Sequence, residues 1–145
     1  MEKSEKGTSG KGLLRTIIIV VVVVLAGALM KQFFKSPSFE QVMLQAANEM
    51  NKSCPTMIDS ETRLDSATVI LPKIFQYNYT LINYEKEELD ILELENMLEQ
   101  SIVNSVRISP EMKDFRDNKV VINFYYNDKN GDYLLHISVS PEQYE

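Results

Sequence analysis

The sequence predicts an α+β chain in which an N-terminal transmembrane helix precedes one small α-β-β-α-β-β domain, an antiparallel sheet with helices on one face. Three features carry that prediction. An apolar run without charge extends from Ile17 to Met30; apolar and polar residues alternate from Phe75 to Leu81; and an apolar stripe at helical spacing precedes each of the two strand pairs.

Residues 1–12, MEKSEKGTSGKG, contain glycine, serine and charge without apolar periodicity, and read as a disordered cytoplasmic tail. From Leu13 to Phe34 a helix would rise about 33 Å at about 1.5 Å per residue, enough for a hydrocarbon core of about 30 Å. Ile and Val favour a strand in water, but a lone strand in lipid leaves its backbone groups unpaired, so a helix is expected over residues 13–34. Arg15 and Lys31 fall near the two interfaces. Lys3, Lys6, Lys11 and Arg15 precede the centre of this run and only Lys31 and Lys35 follow it closely. The N-terminus is therefore expected in the cytoplasm and residues 36–145 outside it. A cleavable secretory signal is the rival, because Ala26-Gly27-Ala28 fits a small-x-small site. The return of apolar character at Leu29, Met30, Phe33 and Phe34 favours an uncut anchor. No cysteine stands directly after the run to carry a lipoprotein anchor, and Thr16 stands where a prepilin would place Glu.

The 145 residues carry a net charge of −6, divided unevenly. Residues 36–145 hold nine Lys or Arg against nineteen Asp or Glu, whereas residues 1–35 hold six against two. An acidic domain is repelled by nucleic acid and by anionic lipid, and a DNA or RNA binder is excluded on charge. Cys54 is the single cysteine, so no intramolecular disulfide can form. A small buried thiol beside Pro55, an intermolecular disulfide and a reactive thiol all remain open for it.

Within the domain, Ser38 with Gln41 three residues on forms a capping box, and Phe39, Val42, Met43, Ala46, Ala47 and Met50 follow as a helical stripe ending near Asn51. TRLDSATVIL, from Thr62 to Leu71, reads as a strand of ambiguous facing. Past Pro72-Lys73, Phe75, Tyr77, Tyr79 and Leu81 point one way while Gln76, Asn78 and Thr80 point the other. Residues 85–106 form the longest helix, with acids in its first turns and Ile91, Leu94, Leu98, Ile102 and Val106 along one side, stopping before Pro110. KVVINFYYN and DYLLHISVS flank Asn130-Gly131, a strong hairpin signal.

This alternation predicts a two-sided sheet. Phe75, Tyr77, Tyr79, Val120, Ile122, Phe124, Leu135, Ile137 and Val139 lie under the helices, and the reverse face carries Gln76, Asn78, Thr80, Asn123, Tyr125, His136 and Ser138. Such a polar but uncharged face can hydrogen-bond a partner without stripping ions of water. Gln76, Asn78, Asn123, Tyr125 and His136 are the candidate binding residues. Arg63, among Asp59, Glu61 and Asp65, is expected to make a bidentate contact that pins the strand start. A hydrolase could instead pair Asp59 with Asp65, and a thiol enzyme Cys54 with His136. Neither pair is accompanied by a substrate-positioning motif. One histidine and one cysteine give no zinc spacing, and Asp128, Asn130 and Asp132 fail as a calcium loop because Tyr133 and Val139 occupy the positions for Gly and Glu. No phosphate-binding glycine motif exists, so neither metal nor cofactor is expected. Asn51-Lys52-Ser53 and Asn78-Tyr79-Thr80 match the N-glycosylation pattern, which matters only in a eukaryotic secretory pathway.

In residues 50–84 the motifs N-K-x-C-P, T-R-L-D and Y-N-Y-T-L stand as Asn51 to Pro55, Thr62 to Asp65 and Tyr77 to Leu81. Here the chain resembles small uncharacterised bacterial single-pass envelope proteins. The resemblance implies a membrane-anchored bacterial module and marks Cys54, Arg63, Asp65 and Tyr77 to Thr80, without supplying an activity. A non-enzymatic protein-binding module follows as the expected function, in the bacterial cell membrane with its domain periplasmic or extracellular. Its expected partner is an envelope protein, with a homodimer left open and a small envelope hydrolase or thiol enzyme as the alternative.

Overall fold

The computed structural model describes residues 37–145, so the expected tail at 1–12 and membrane helix at 13–34 lie outside the described residues. Among the described residues no helix is long and apolar enough to cross a membrane. Helix α1 spans Phe39–Ser53 and opens as the sequence predicts: Gln41 N donates to Ser38 Oγ, and Ser38 N donates back to Gln41 Oε1. Strands β1 (Thr56–Met57), β2 (Thr62–Ile70) and β3 (Ile74–Leu81) follow. Next come α2 (Ile91–Ile108), the short α3 (Lys113–Asp117), β4 (Val121–Asn127), β5 (Tyr133–Val139) and a last turn, α4 (Pro141–Tyr144).

The domain is α+β, but its five-stranded sheet is mixed rather than antiparallel, in the order β1-β2-β3-β4-β5. Both predicted strand pairs are antiparallel, whereas β3 and β4 between them run parallel. The cause is connectivity. Parallel neighbours need a crossover of a dozen or more residues, and α2 with its flanking turns supplies one, returning the chain to the end of the sheet where β3 began. The order of elements fixes each local hairpin but leaves the direction of the junction open.

A bulge settles the facing of β2. The register slips between Leu64 and Ser66, leaving Asp65 unpaired, so Leu64 and Ala67 both face the core although three residues apart. Beyond the two-residue β1 the outer edge of β2 is open, and the Asn51 amide at the end of α1 closes part of it. Asn51 Nδ2 donates to Ala67 O at 2.9 Å and Ala67 N donates to Asn51 Oδ1 at 2.7 Å, as a neighbouring strand would. Met43 and Ala47 of α1, Val106 of α2, and Phe75, Ile122 and Val139 of the sheet join one core. Of the nine residues expected to lie under the helices, all are buried except Tyr79, which is half-buried; on the α1 stripe Met43 and Ala47 are buried, Phe39, Ala46 and Met50 are half-buried, and Val42 is exposed.

The β4–β5 hairpin is anchored by Asp128, whose side chain is fully buried. Its Oδ1 accepts from Asn130 N and Asp132 N at 2.8 and 2.9 Å, and its Oδ2 accepts from Lys86 N at 3.1 Å, tying the turn to the connection that leads into α2. Gly131 takes φ +89°, the conformation glycine supplies without strain. Burial pushes the Asp128 carboxyl up, but the backbone N–H groups of Asp132, Lys86, Asn130 and Gly131 together hold it below the ordinary carboxylate value.

Two outcomes follow for urea unfolding. Asn51→Ala removes two hydrogen bonds and is expected to cost about 2 kcal/mol, at about 1 kcal/mol for each, with the secondary structure retained. Asp128→Asn is expected to destabilise the domain most at neutral pH. Because the native carboxyl is depressed, its stabilisation is complete above the unfolded value of about 3.9 and is lost as pH falls through the native value. The gap between wild type and variant should therefore shrink in acid; a gap that widens below about pH 4 contradicts the assignment.

Candidate functional site

The parallel pairing of β3 with β4 sets Tyr77 beside Phe124 and Tyr79 beside Tyr126 on the face under the helices. Their rings stack, with centroids 5.4 and 5.2 Å apart. This makes an aromatic floor, because facing residues on adjacent strands are the closest side chains in a sheet. Above it lies α2. Its C-terminal end is fixed: Val106 is buried, and Arg116 Nη1 donates to Val106 O and Ser109 O, both at 2.7 Å, capping the last turn. Arg107 Nη2 donates to Gln143 O at 2.6 Å, joining α2 to the C-terminal turn, whose Tyr144 hydroxyl reaches Val120 O at 2.8 Å.

Towards its start the same helix is less well covered. Ile91, Leu94, Leu98 and Ile102, the stripe that should meet the sheet, are only half-buried, and Met97 is 62% exposed. Between this stripe and the floor lies a groove of about 860 Å³. Tyr79, Leu81, Phe124 and Tyr126 form its base, and Leu94, Leu98, Ser101 and Ser105 form the α2 wall. Ile58, Asp59, Glu61 and Thr62, from the turn between β1 and β2, stand opposite with Tyr84 and Leu89. Asp59 holds that turn: its Oδ1 accepts from Glu61 N and Thr62 N, both at 2.8 Å, which keeps the carboxyl below its ordinary value. Glu61 Oε1 accepts from the Tyr84 hydroxyl at 2.8 Å.

The floor tyrosines resist ionisation. Burial, with the Cys54 thiol nearby, pushes Tyr79 up to about 12. Burial raises Tyr77 and Tyr126 further, with Tyr79 adding to both and Asp59 to Tyr126. At neutral pH the floor is an uncharged aromatic surface with hydroxyl tips, suited to apolar contact rather than to acid–base chemistry.

The predicted binding residues lie together on the opposite side of the sheet. Gln76 is in register with Asn123, Asn78 with Tyr125, and Tyr125 with His136, so the five form a continuous patch. Much of its hydrogen-bonding capacity is used internally. Gln76 Nε2 donates to Asn78 Oδ1 at 2.8 Å, and Asn78 Nδ2 donates to Ser66 Oγ at 3.0 Å. Asn123 differs, its Oδ1 being buried without a partner. Arg63 does not fork onto a carboxylate: its Nε alone donates to Asp65 Oδ1 at 2.6 Å, while the Thr80 hydroxyl donates to Asp65 Oδ2, also at 2.6 Å.

The two pairs considered for catalysis are separated by the sheet. Asp59 lines the groove on the helix side, whereas Asp65 bonds Thr80 on the reverse. Cys54, half-buried against the core, lies on the groove side, and His136 is on the reverse, beside Tyr125. Among the described residues no three of His, Cys, Asp and Glu come close enough to hold a metal ion. The groove itself escaped sequence reasoning. Its one trace was the placing of tyrosines, whose hydroxyls need water or a partner, at core positions of β3 and β4.

Residues 38–135 match the family described as Domain of unknown function (DUF8479), and the chain belongs to that family. No curated protein matches the chain. Three solved structures share its fold. A Pseudomonas aeruginosa protein described as secreted aligns with a TM-score of 0.62 at 9% identity, covering 73% of this chain and 92% of its own. EpsS, the pilotin of the Vibrio vulnificus type 2 secretion system, gives 0.59 at 9% identity, covering 73% and 91%. AspS, a type II secretion system pilotin from Vibrio cholerae, gives 0.55 at 14% identity, covering 72% and 90%.

A spectrophotometric titration checks the floor. At about pH 11, above the ordinary tyrosine value of about 10, the native chain should show about three fewer tyrosinates than the urea-unfolded chain, because Tyr77, Tyr79 and Tyr126 stay largely protonated. The raised native values also set a sign. Their stabilisation is complete below about pH 10 and is lost as pH rises through the native values, so alkali should release the missing tyrosinates together with unfolding.

Proposed function

We propose that this member of the DUF8479 family is a non-enzymatic binding module of the bacterial cell envelope, in which the groove between α2 and the sheet receives a segment of an envelope protein partner. The groove carries the reading. Its aromatic floor and half-buried helix stripe form a concave apolar surface of the size that binds ligands, in a domain that otherwise closes its core. Two of the solved structures sharing the fold are pilotins of type 2 secretion systems, which favours a partner from a secretion apparatus. In this proposal residues 13–34 tether the chain to the cell membrane, with residues 1–12 cytoplasmic and the domain outside. Tethering would raise the domain's effective concentration towards other membrane proteins.

The reverse face, with Gln76, Asn78, Asn123, Tyr125 and His136, is the weaker candidate because Gln76 and Asn78 already use amide donors on Asn78 and Ser66. An enzymatic role is weaker still, since each proposed pair of groups is divided by the sheet.

Photocrosslinking in intact cells separates these readings. A probe at Met97 should form an adduct with an integral or secretion-apparatus envelope protein, and one at His136 should not. Leu98→Asp should reduce the adduct about tenfold, the equivalent of about 1.4 kcal/mol, with circular dichroism unchanged. Loss of the adduct on Asn123→Ala or Tyr125→Ala, with Leu98→Asp harmless, would move the site to the reverse face. A measured turnover abolished by Cys54→Ala or His136→Ala in a folded chain would refute the binding role.

A further inference from the structure

We infer that the segment received by the groove is an amphipathic helix with a basic flank, selected by Asp59 and Glu61. The inference rests on the groove being the docking site and adds the chemistry of the occupant.

The lining favours a helix over an extended strand. Its floor belongs to β3 and β4, interior strands whose backbones are paired on both sides, so an extended peptide laid there would find no backbone partners. A helix satisfies its own backbone and needs only side-chain contact. Leu94, Leu98 and Ile102 recur one turn apart on the wall, a ridge against which the side chains of a second helix can pack.

Charge sets the flank. Asp59 and Glu61 are the charged residues of the lining, and no Lys or Arg joins them. The backbone N–H groups of Glu61 and Thr62 fix the aim of Asp59, and the Tyr84 hydroxyl orients Glu61. Nearby cations are engaged elsewhere: Arg63 with Asp65, and Lys129 with Glu85 at 2.9 Å. The connection into α2 adds Glu85, Glu87, Glu88 and Asp90 against the single Lys86. A Lys or Arg on the incoming helix would meet preoriented carboxylates, whereas an acidic helix would bring like charges together.

The test uses the full-length chain in zwitterionic detergent and three synthetic helical peptides that share one Leu-rich face and differ only in a Lys/Arg, Gln or Glu flank. By fluorescence anisotropy at low salt, the basic peptide should bind at least about tenfold more tightly than its acidic twin, and the advantage should shrink as salt screens the rim. Asp59→Asn with Glu61→Gln should erase the advantage, bringing the basic and acidic peptides to one affinity, with the turn kept because Asn retains the Oδ1 that holds it. Equal binding of the three peptides, weakened together by Leu98→Asp, would overturn the charge selection and leave the groove standing. Binding of none would overturn both.

Discussion

The parallel pairing of β3 with β4 places four aromatic rings in register at the middle of the sheet, and a helical crossover makes that pairing sterically accessible. The chain cannot run two neighbouring strands in one direction without leaving the sheet and returning, and α2 is the return. The crossover therefore has to lie across the face that carries Tyr77, Tyr79, Phe124 and Tyr126. Its helix is fastened at the end that re-enters the sheet, by Val106, Arg107 and the Arg116 cap, whereas the turns from Ile91 to Leu98, beyond the connection that Asp128 holds, are only half-covered. The groove is a direct product of this one-ended attachment.

That arrangement balances stability against access. Burying the Leu94, Leu98 and Ile102 side chains fully would stabilise the domain by burial of apolar surface, about 25 cal/mol per Å². It would also close the groove. The rest of the domain supplies firm support: Asp128 gathers backbone donors from the hairpin and from the connection into α2, and the Asn51 amide stands in for a strand at the open edge of β2. Rigidity lies around the opening rather than across it, as expected of a preformed binding surface.

Much of this was legible in the sequence, for identifiable reasons. The Ser38–Gln41 box, the alternation along β3 and the Asn130-Gly131 turn are local signals, and each element formed where its signal stands. The five residues chosen for the polar face do share that face, because strand alternation is geometric. The direction of β4 relative to β3 was not legible, since it depends on where a long crossover returns. The bulge at Asp65 was hidden as well: one extra residue reverses the facing of everything after it, and TRLDSATVIL contains no glycine to mark it. Nor could periodicity reveal the groove. Leu94 and Leu98 have the spacing of a buried stripe whether or not the helix rests on its sheet.

One-ended attachment of α2 is most directly tested by native-state hydrogen exchange on the full-length chain, which reads the opening free energy along the helix. Amides from Ile91 to Leu98 should exchange markedly faster than those from Ile102 to Ile108 and than those of β3 and β4. Uniform protection along α2, or greater protection at its start than at its end, would contradict a helix held at one end over an open groove.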